Sequence, residues 1–294
     1  MSDALAGPPP AIVACVDDFG LSAAVNRSVI ALARARRISA TSCLVNLPDC
    51  NAAAMSEIAA LDVDLGWHLN FTEGVPSSRR LRSLWPRFPS LRQLLVASHL
   101  GRLPVAAVQE ECRVQLERFL ELAGRVPDFV DGHMHVHHLP VIRDAWMVAL
   151  GSRAPSPYVR DTGSLRGPGW LAKRLLIRGT GSREMQRLLR QQNLLAAGPL
   201  FGAYDFSPRG YRAAMRRWLG ALAADRIRRG LLFCHPGEVE ANGAGADGDP
   251  IAAARRAEWD YFNSPDWPQD LAEHGFGLAR GAGLFQQEEI AEFA

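Results

Sequence analysis

Short apolar runs alternate along this chain with longer stretches in which apolar side chains return every three or four positions. That alternation predicts strand–helix units around a parallel sheet. Strands are expected at 11–16, 41–45, 63–69, 129–130, 158–159, 231–234 and 276–279. Ser22 is placed to cap a helix carrying Val25, Val29, Leu32 and Ala33 at helical spacing. Further helices are expected at 52–60, 105–122, 141–150, 170–178, 183–195, 212–224, 251–262 and 270–274. The stretch 74–89, rich in Pro, Ser and Arg, reads as an irregular insertion, and 242–249, rich in Gly, as a mobile loop. There is no internal repeat and no persuasive linker, so one domain over 11–281 is expected, with tails at 1–10 and 282–294.

Composition changes this picture little. A length of 294 residues suits a single α/β barrel, and 48% hydrophobic residues can fill a large core. The net charge of +2 gives no field that would point to nucleic acid. Lys173 is the only lysine, which we read as codon bias favouring arginine. Cys15, Cys43, Cys50, Cys112 and Cys234 form no CxxC pair, and four of them lie in apolar or helical runs. Free thiols in a reducing compartment are therefore expected. With no signal-peptide pattern and no apolar run of about 18 residues, the sequence predicts a cytoplasmic protein. Residues Trp259, Tyr261 and Trp267 are expected at the surface, covering the barrel or making a homodimer contact.

Charge matters locally. Arg166, Lys173, Arg174, Arg178, Arg183, Arg187 and Arg190 face a single acid, Glu184, and interleave with Trp170, Leu171, Leu175, Leu176 and Ile177. The plain reading is a barrel helix with a solvated basic face. The alternative is peripheral contact with an anionic membrane.

The chemistry lies where strands end. Asp17 and Asp18 follow the first apolar run, His68 closes the third, and His235 follows 231–234. His133, His135 and His137 follow Phe129-Val130-Asp131 at a strand-like spacing of two, which would aim all three at one face. Strand ends gather on one face of a parallel barrel, where active sites of such folds are built. Each signal has a bland counterpart: an Asp-Asp pair is often a turn or cap, and a lone His a satisfied core residue. His99, His138 and His274 read as bystanders. One carboxylate with two imidazoles leaves coordination positions open for water and a substrate oxygen. A spare carboxylate and a spare imidazole then suit amide or ester hydrolysis. No serine or cysteine nucleophile motif, P-loop or GxGxxG competes.

Val16-Asp-Asp-Phe-Gly-Leu-Ser, His68-Leu-Asn with Thr72-Glu-Gly, Asp131-Gly-His-Met-His-Val-His and Cys234-His-Pro-Gly, in that order, resemble the motifs of the YdjC-like carbohydrate deacetylases. This family includes chitooligosaccharide and hopanoid-associated sugar deacetylases. The resemblance implies a distorted TIM-like (β/α) barrel and removal of an N-acetyl group from an amino sugar. It also implies one divalent metal, magnesium or zinc, although two imidazoles favour zinc, nickel or cobalt. By the same resemblance Asp18, His68 and His133 hold the metal, Asp17 is the base, and His235 the acid for the leaving amine. His135, His137, Asn70 and Asp131 fall to substrate or supporting contacts. The rival readings are another barrel amidohydrolase or phosphoesterase, or a carbohydrate-binding relative without catalysis.

Overall fold

The computed structural model describes residues 9–168, 171–238 and 248–285. Its strands are β1 (Ala11–Phe19), β2 (Ala40–Cys43), β3 (Asp64–Leu69), β4 (Phe129–Gly132), β5 (Tyr158–Arg160), β6 (Ala196–Ala197), β7 (Leu200–Phe201), β8 (Arg229–Cys234) and β9 (Gly277–Leu278). All pairings are parallel, in the order β6-β5-β4-β3-β2-β1-β8-β7, with β9 added to β1. The two ends of that path, β6 and β7, are separated in sequence only by Gly198 and Pro199. The sheet edges therefore meet, and the sheet nearly closes into a TIM-like barrel.

Around it run α1 (Ala23–Arg34), α2 (Ala52–Ala59), α3 (Arg79–Leu84), α4 (Leu91–His99), α5 (Val105–Ala123), α6 (Ile142–Leu150), α7 (Leu171–Ile177), α8 (Arg183–Gln191), α9 (Tyr211–Ala224), α10 (Ala252–Asn263) and α11 (Asp266–Glu273). The period of two in β1 sorts the core. Val13 and Cys15 join Ala40, Phe129, Tyr158, Leu231 and Phe233 in one cluster, while Ile12, Ala14 and Val16 pack in the larger cluster with the helices.

Several expectations change. The stretch read as irregular holds α3, and a capping box at Ser90 and Gln93 starts α4 just beyond it. Strands β6 and β7 have two residues each, too short for any periodicity to reveal. Trp259, Tyr261 and Trp267 are not surface residues. They are at most 8% exposed, and the Tyr261 and Trp267 rings pack against Tyr211 and Phe262 between α9, α10 and α11. Packing also runs past residue 281, because Phe285 is buried against Tyr158. The proposed loop at 242–249 falls outside the described residues up to 247. All five cysteines are free and buried. No helix among the described residues is long and apolar enough to cross a membrane. On α7, Leu171, Leu175 and Leu176 are 57–62% exposed.

Two buried carboxylates tie the barrel together. Asp64, at the start of β3, accepts from Tyr158 Oη, Arg280 Nε and the Gly281 N–H, joining β3 to β5 and to the segment after β9. Glu258 on α10 accepts from Tyr204 Oη and from the His235 N–H, both at 2.5 Å, and so fixes the end of β8. Burial pushes the Glu258 carboxyl up from 4.5 to about 7, against the lowering effect of its two donors. A folded-state value above the unfolded one contributes stability that is complete below 4.5 and is lost as pH rises through about 7. Glu258→Gln cannot ionise, so its melting temperature should gain on wild type between pH 5 and pH 8. A constant gap across that range would mean that Glu258 is not held neutral by the fold.

Gly66 in β3 lies opposite Phe129 in β4, and a Cβ there would sit 2.3 Å from the Phe129 ring. The ring is stacked on Tyr158 at 5.1 Å between centroids and has no room to retreat. Gly66→Ala should therefore cost about 1–3 kcal/mol in urea unfolding. An unchanged midpoint would show that the ring moves freely.

Candidate active site

Strand β1 carries both aspartates within its span rather than after it. Asp17 continues the alternation of Val13 and Cys15. Asp18 would by that rule point the other way, but its φ is +70° and the β1–β2 register shifts between Val16 and Phe19. This bulge lets two consecutive carboxylates serve one site. A non-glycine residue in left-handed backbone costs energy and is kept where function over-determines it.

The histidine segment departs further from expectation. It is not a strand with three imidazoles on one face. After β4 the chain enters a 3₁₀ turn over His133–His138, with φ of +53° at Met134 and +61° at His135. Two left-handed residues break the alternation and scatter the rings. His133 reaches Asp18, with Nδ1 2.9 Å from Oδ1. His135 sets its edge against Phe233 at 5.2 Å. His137 is fully buried and donates from Nε2 to the Arg160 carbonyl. His138 is bonded to Thr162 and Thr180, away from the aspartates.

Asp18, His68 and His133 offer donor atoms within 4.8 Å of one another. His68 Nε2 lies 3.5 Å from Asp18 Oδ1, and its Nδ1 lies 2.6 Å from Asp131 Oδ1. Asp131 thus stands behind His68 and turns Nε2 toward Asp18. A tetrahedral ion with bonds of about 2.1 Å needs donors about 3.4 Å apart. The 2.9 and 3.5 Å separations bracket that spacing. The residues fit a divalent ion, and two imidazoles suit zinc, nickel or cobalt better than magnesium. Burial alone would lower the His68 imidazole, but Asp131, Asp18 and Asp17 raise it to about 10. The site as folded attracts positive charge.

Asp17 stands beside this triad. Arg160 grips it with both arms, at 2.7 and 2.6 Å, and the same guanidinium contacts Asp131 Oδ2 at 2.6 Å and Cys15 Sγ at 3.2 Å. The Asp131 contact is an ion pair whose angle falls outside a hydrogen bond. Burial raises the Asp17 carboxyl, but Arg160 overrides it and holds the group well below the usual range, hence ionised. Cys15, Asp17 and Asp131 also lie close enough to hold an ion, yet Arg160 fills the space between them. His235 Nε2 lies 3.8 Å from Asp17 Oδ2, and the ring stacks edge-on against Phe206 at 5.3 Å. Burial lowers the His235 imidazole to about 4, so it is neutral at pH 7.

Asn70 does not face this centre. It is fully buried, its oxygen accepts from the Thr72 and Glu73 N–H groups, and its amide donates to Asn46 and the Glu73 carbonyl. It shapes the turn after β3. Sequence reasoning missed Arg160, although it ends β5 just as His68 nearly ends β3. The strand-end rule would have found it had arginine been counted among site residues. Arg255, on α10, gave no signal of any kind.

Residues 11–273 match the family model described as YdjC-like protein. A chitooligosaccharide deacetylase from Enterobacter sp. is 32% identical over 273 residues, covering 91% of this chain and 96% of that protein. A carbohydrate deacetylase from Danio rerio is 34% identical over 152 residues, 49% of this chain and 47% of its own length. For the Danio rerio and Mus musculus proteins the matched segment spans about half of the relative. Among solved structures, a putative cellobiose-phosphate cleavage protein from Enterococcus faecalis superposes with a TM-score of 0.71 at 18% identity, covering 95% of this chain and all of that one. That likeness concerns the fold. With a match that takes in every strand from β1 to β8 and each of the four site motifs, the chain belongs to the YdjC-like family.

Proposed function

We propose that this protein removes the N-acetyl group from an acetylated amino sugar, using one divalent ion held by Asp18, His68 and His133. The observation that carries this reading is the pairing of that donor triad with a second ionised carboxylate, Asp17, that takes no part in it. An ion held there would polarise an amide carbonyl and lower the pKa of a water molecule. Asp17 would accept the proton of the attacking water on Oδ2, the oxygen nearer His235. The water oxygen bonds to the acetyl carbon, the C–N bond breaks, and acetate departs. His235, neutral beforehand, would relay the proton to the leaving amine across its 3.8 Å approach to Asp17. Arg160 keeps Asp17 ionised and aimed, at a cost to its basicity.

A phosphoesterase with two or three ions is disfavoured, because the second donor cluster is filled by Arg160. A non-catalytic sugar-binding protein has no use for Asp17. The name of the Enterobacter relative makes acetylated chitooligosaccharides the first substrates to try. Metal-stripped protein should release acetate from them only after zinc, cobalt, nickel or magnesium is restored, and His68→Ala should abolish that release. Asp17→Asn should lower turnover by on the order of 100-fold while metal binding is retained. Full activity in Asp17→Asn would remove it as the base.

The exposed Leu171, Leu175 and Leu176 support peripheral membrane contact over a merely solvated basic face. They lie on the excursion that follows the C-terminal end of β5, the end that also carries the site. Co-sedimentation with anionic vesicles should exceed that with neutral ones, weaken with salt, and fall in a variant with all three leucines changed to Ser. Equal sedimentation with both vesicle types would refute the contact.

A further inference from the structure

Helix α10 reaches into the centre from outside the barrel, and none of the four site motifs includes it. Arg255 is 4% exposed, and its Nη2 donates to Asp18 Oδ2 at 2.7 Å. Its Nε donates to Asp249 Oδ2 at 2.6 Å, and its Nη1 to the His235 carbonyl at 3.4 Å. One helical turn on, Glu258 accepts from the N–H of the same His235. Asp18 is thereby divided: Oδ1 faces His133 and His68, while Oδ2 is taken by a guanidinium.

We propose that Arg255 is a positioning residue that holds Asp18 to a single available oxygen and withdraws part of its charge, trading metal affinity for electrophilic strength. The proposal rests on the deacetylase reading for its consequence in turnover, but its consequence in binding stands on the donor set alone. The donor triad has two outer partners of opposite sign. Asp131 behind His68 is an anion that makes the imidazole a better donor, and loss of such a partner ordinarily weakens metal binding 10–100-fold. Arg255 behind Asp18 is a cation competing with the ion for the same carboxylate, so its removal acts in the other direction. An ion held by a half-neutralised carboxylate would keep more of its own charge for a substrate carbonyl.

The test is zinc competition against a chromophoric chelator, run beside acetate release, on the full chain and its Arg255→Gln, Arg255→Lys and Asp131→Asn variants. Arg255→Gln should bind zinc about 10-fold more tightly than wild type and turn over at least about 10-fold more slowly. Arg255→Lys keeps the charge and loses the fork, so its zinc affinity should stay near wild type. Asp131→Asn should bind more weakly. Zinc affinity in Arg255→Gln that is unchanged or weaker, in a protein with a wild-type far-UV spectrum, would overturn the proposal and leave Arg255 a structural tie. If Arg255→Gln fails to fold, an affinity for Arg255→Lys at least about 10-fold weaker than wild type overturns it, and a value near wild type supports it. Absence of acetate release from wild type would sink the deacetylase reading and leave the binding comparison intact.

Discussion

Three carboxylates, Asp17, Asp18 and Asp131, are each at most 3% exposed at one end of the barrel, and two guanidiniums are buried among them. Taking one charge out of water costs several kcal/mol, and attraction repays it only when geometry and hydrogen bonding are good. Arg160 meets that condition with two arms on Asp17 and a contact to Asp131, and Arg255 meets it at Asp18. Each cation offsets the charge of the carboxylates it touches, Arg160 at Asp17 and Asp131 and Arg255 at Asp18. The ionised aspartates in turn hold His68 and His133 in place. The centre is therefore one charge-balanced cluster.

The backbone pays for this arrangement in two places. The left-handed Asp18 ends the regular part of β1, and the left-handed Met134 and His135 follow β4. Both distortions sit in well-supported surroundings. β1 is paired on both sides, with β2 and β8, and β4 lies between β3 and β5. Central strands can carry strain at their ends because the ladders on either side fix where they stop. The same distortions explain why neighbouring residues in one motif have unlike fates: His133 enters the centre and His137 seals the floor beneath Arg160.

One outer helix ties the fold to the chemistry. Helix α10 touches the centre through Arg255 and Glu258, and α9 and α11 hold α10 through the Tyr211, Tyr261, Phe262 and Trp267 rings. Aromatic residues that looked suited to an interface serve instead to set the position of one helix. Phe206, itself in left-handed backbone, closes over His235 from the β7 side.

The sequence by itself determined the strand–helix alternation, the starts of α1 and α5, and the clustering of Asp17, Asp18, His68, His133 and His235 at strand ends. Those features are local: periodicity follows from the 2.0 and 3.6 residue repeats, and strand-end position follows from the parallel topology. The residue spacing left open which histidine after β4 meets Asp18 and only the family resemblance pointed to His133; in the fold two positive φ values override the strand period. Tertiary structure alone decided that Asn70 shapes a turn, that Trp259 and Trp267 are core, and that Arg160 and Arg255 complete the charge balance. Arg160 lies 143 residues from Asp17 and Arg255 lies 237 from Asp18. Pairings across such distances depend on how the barrel closes, and no short window of sequence contains that information.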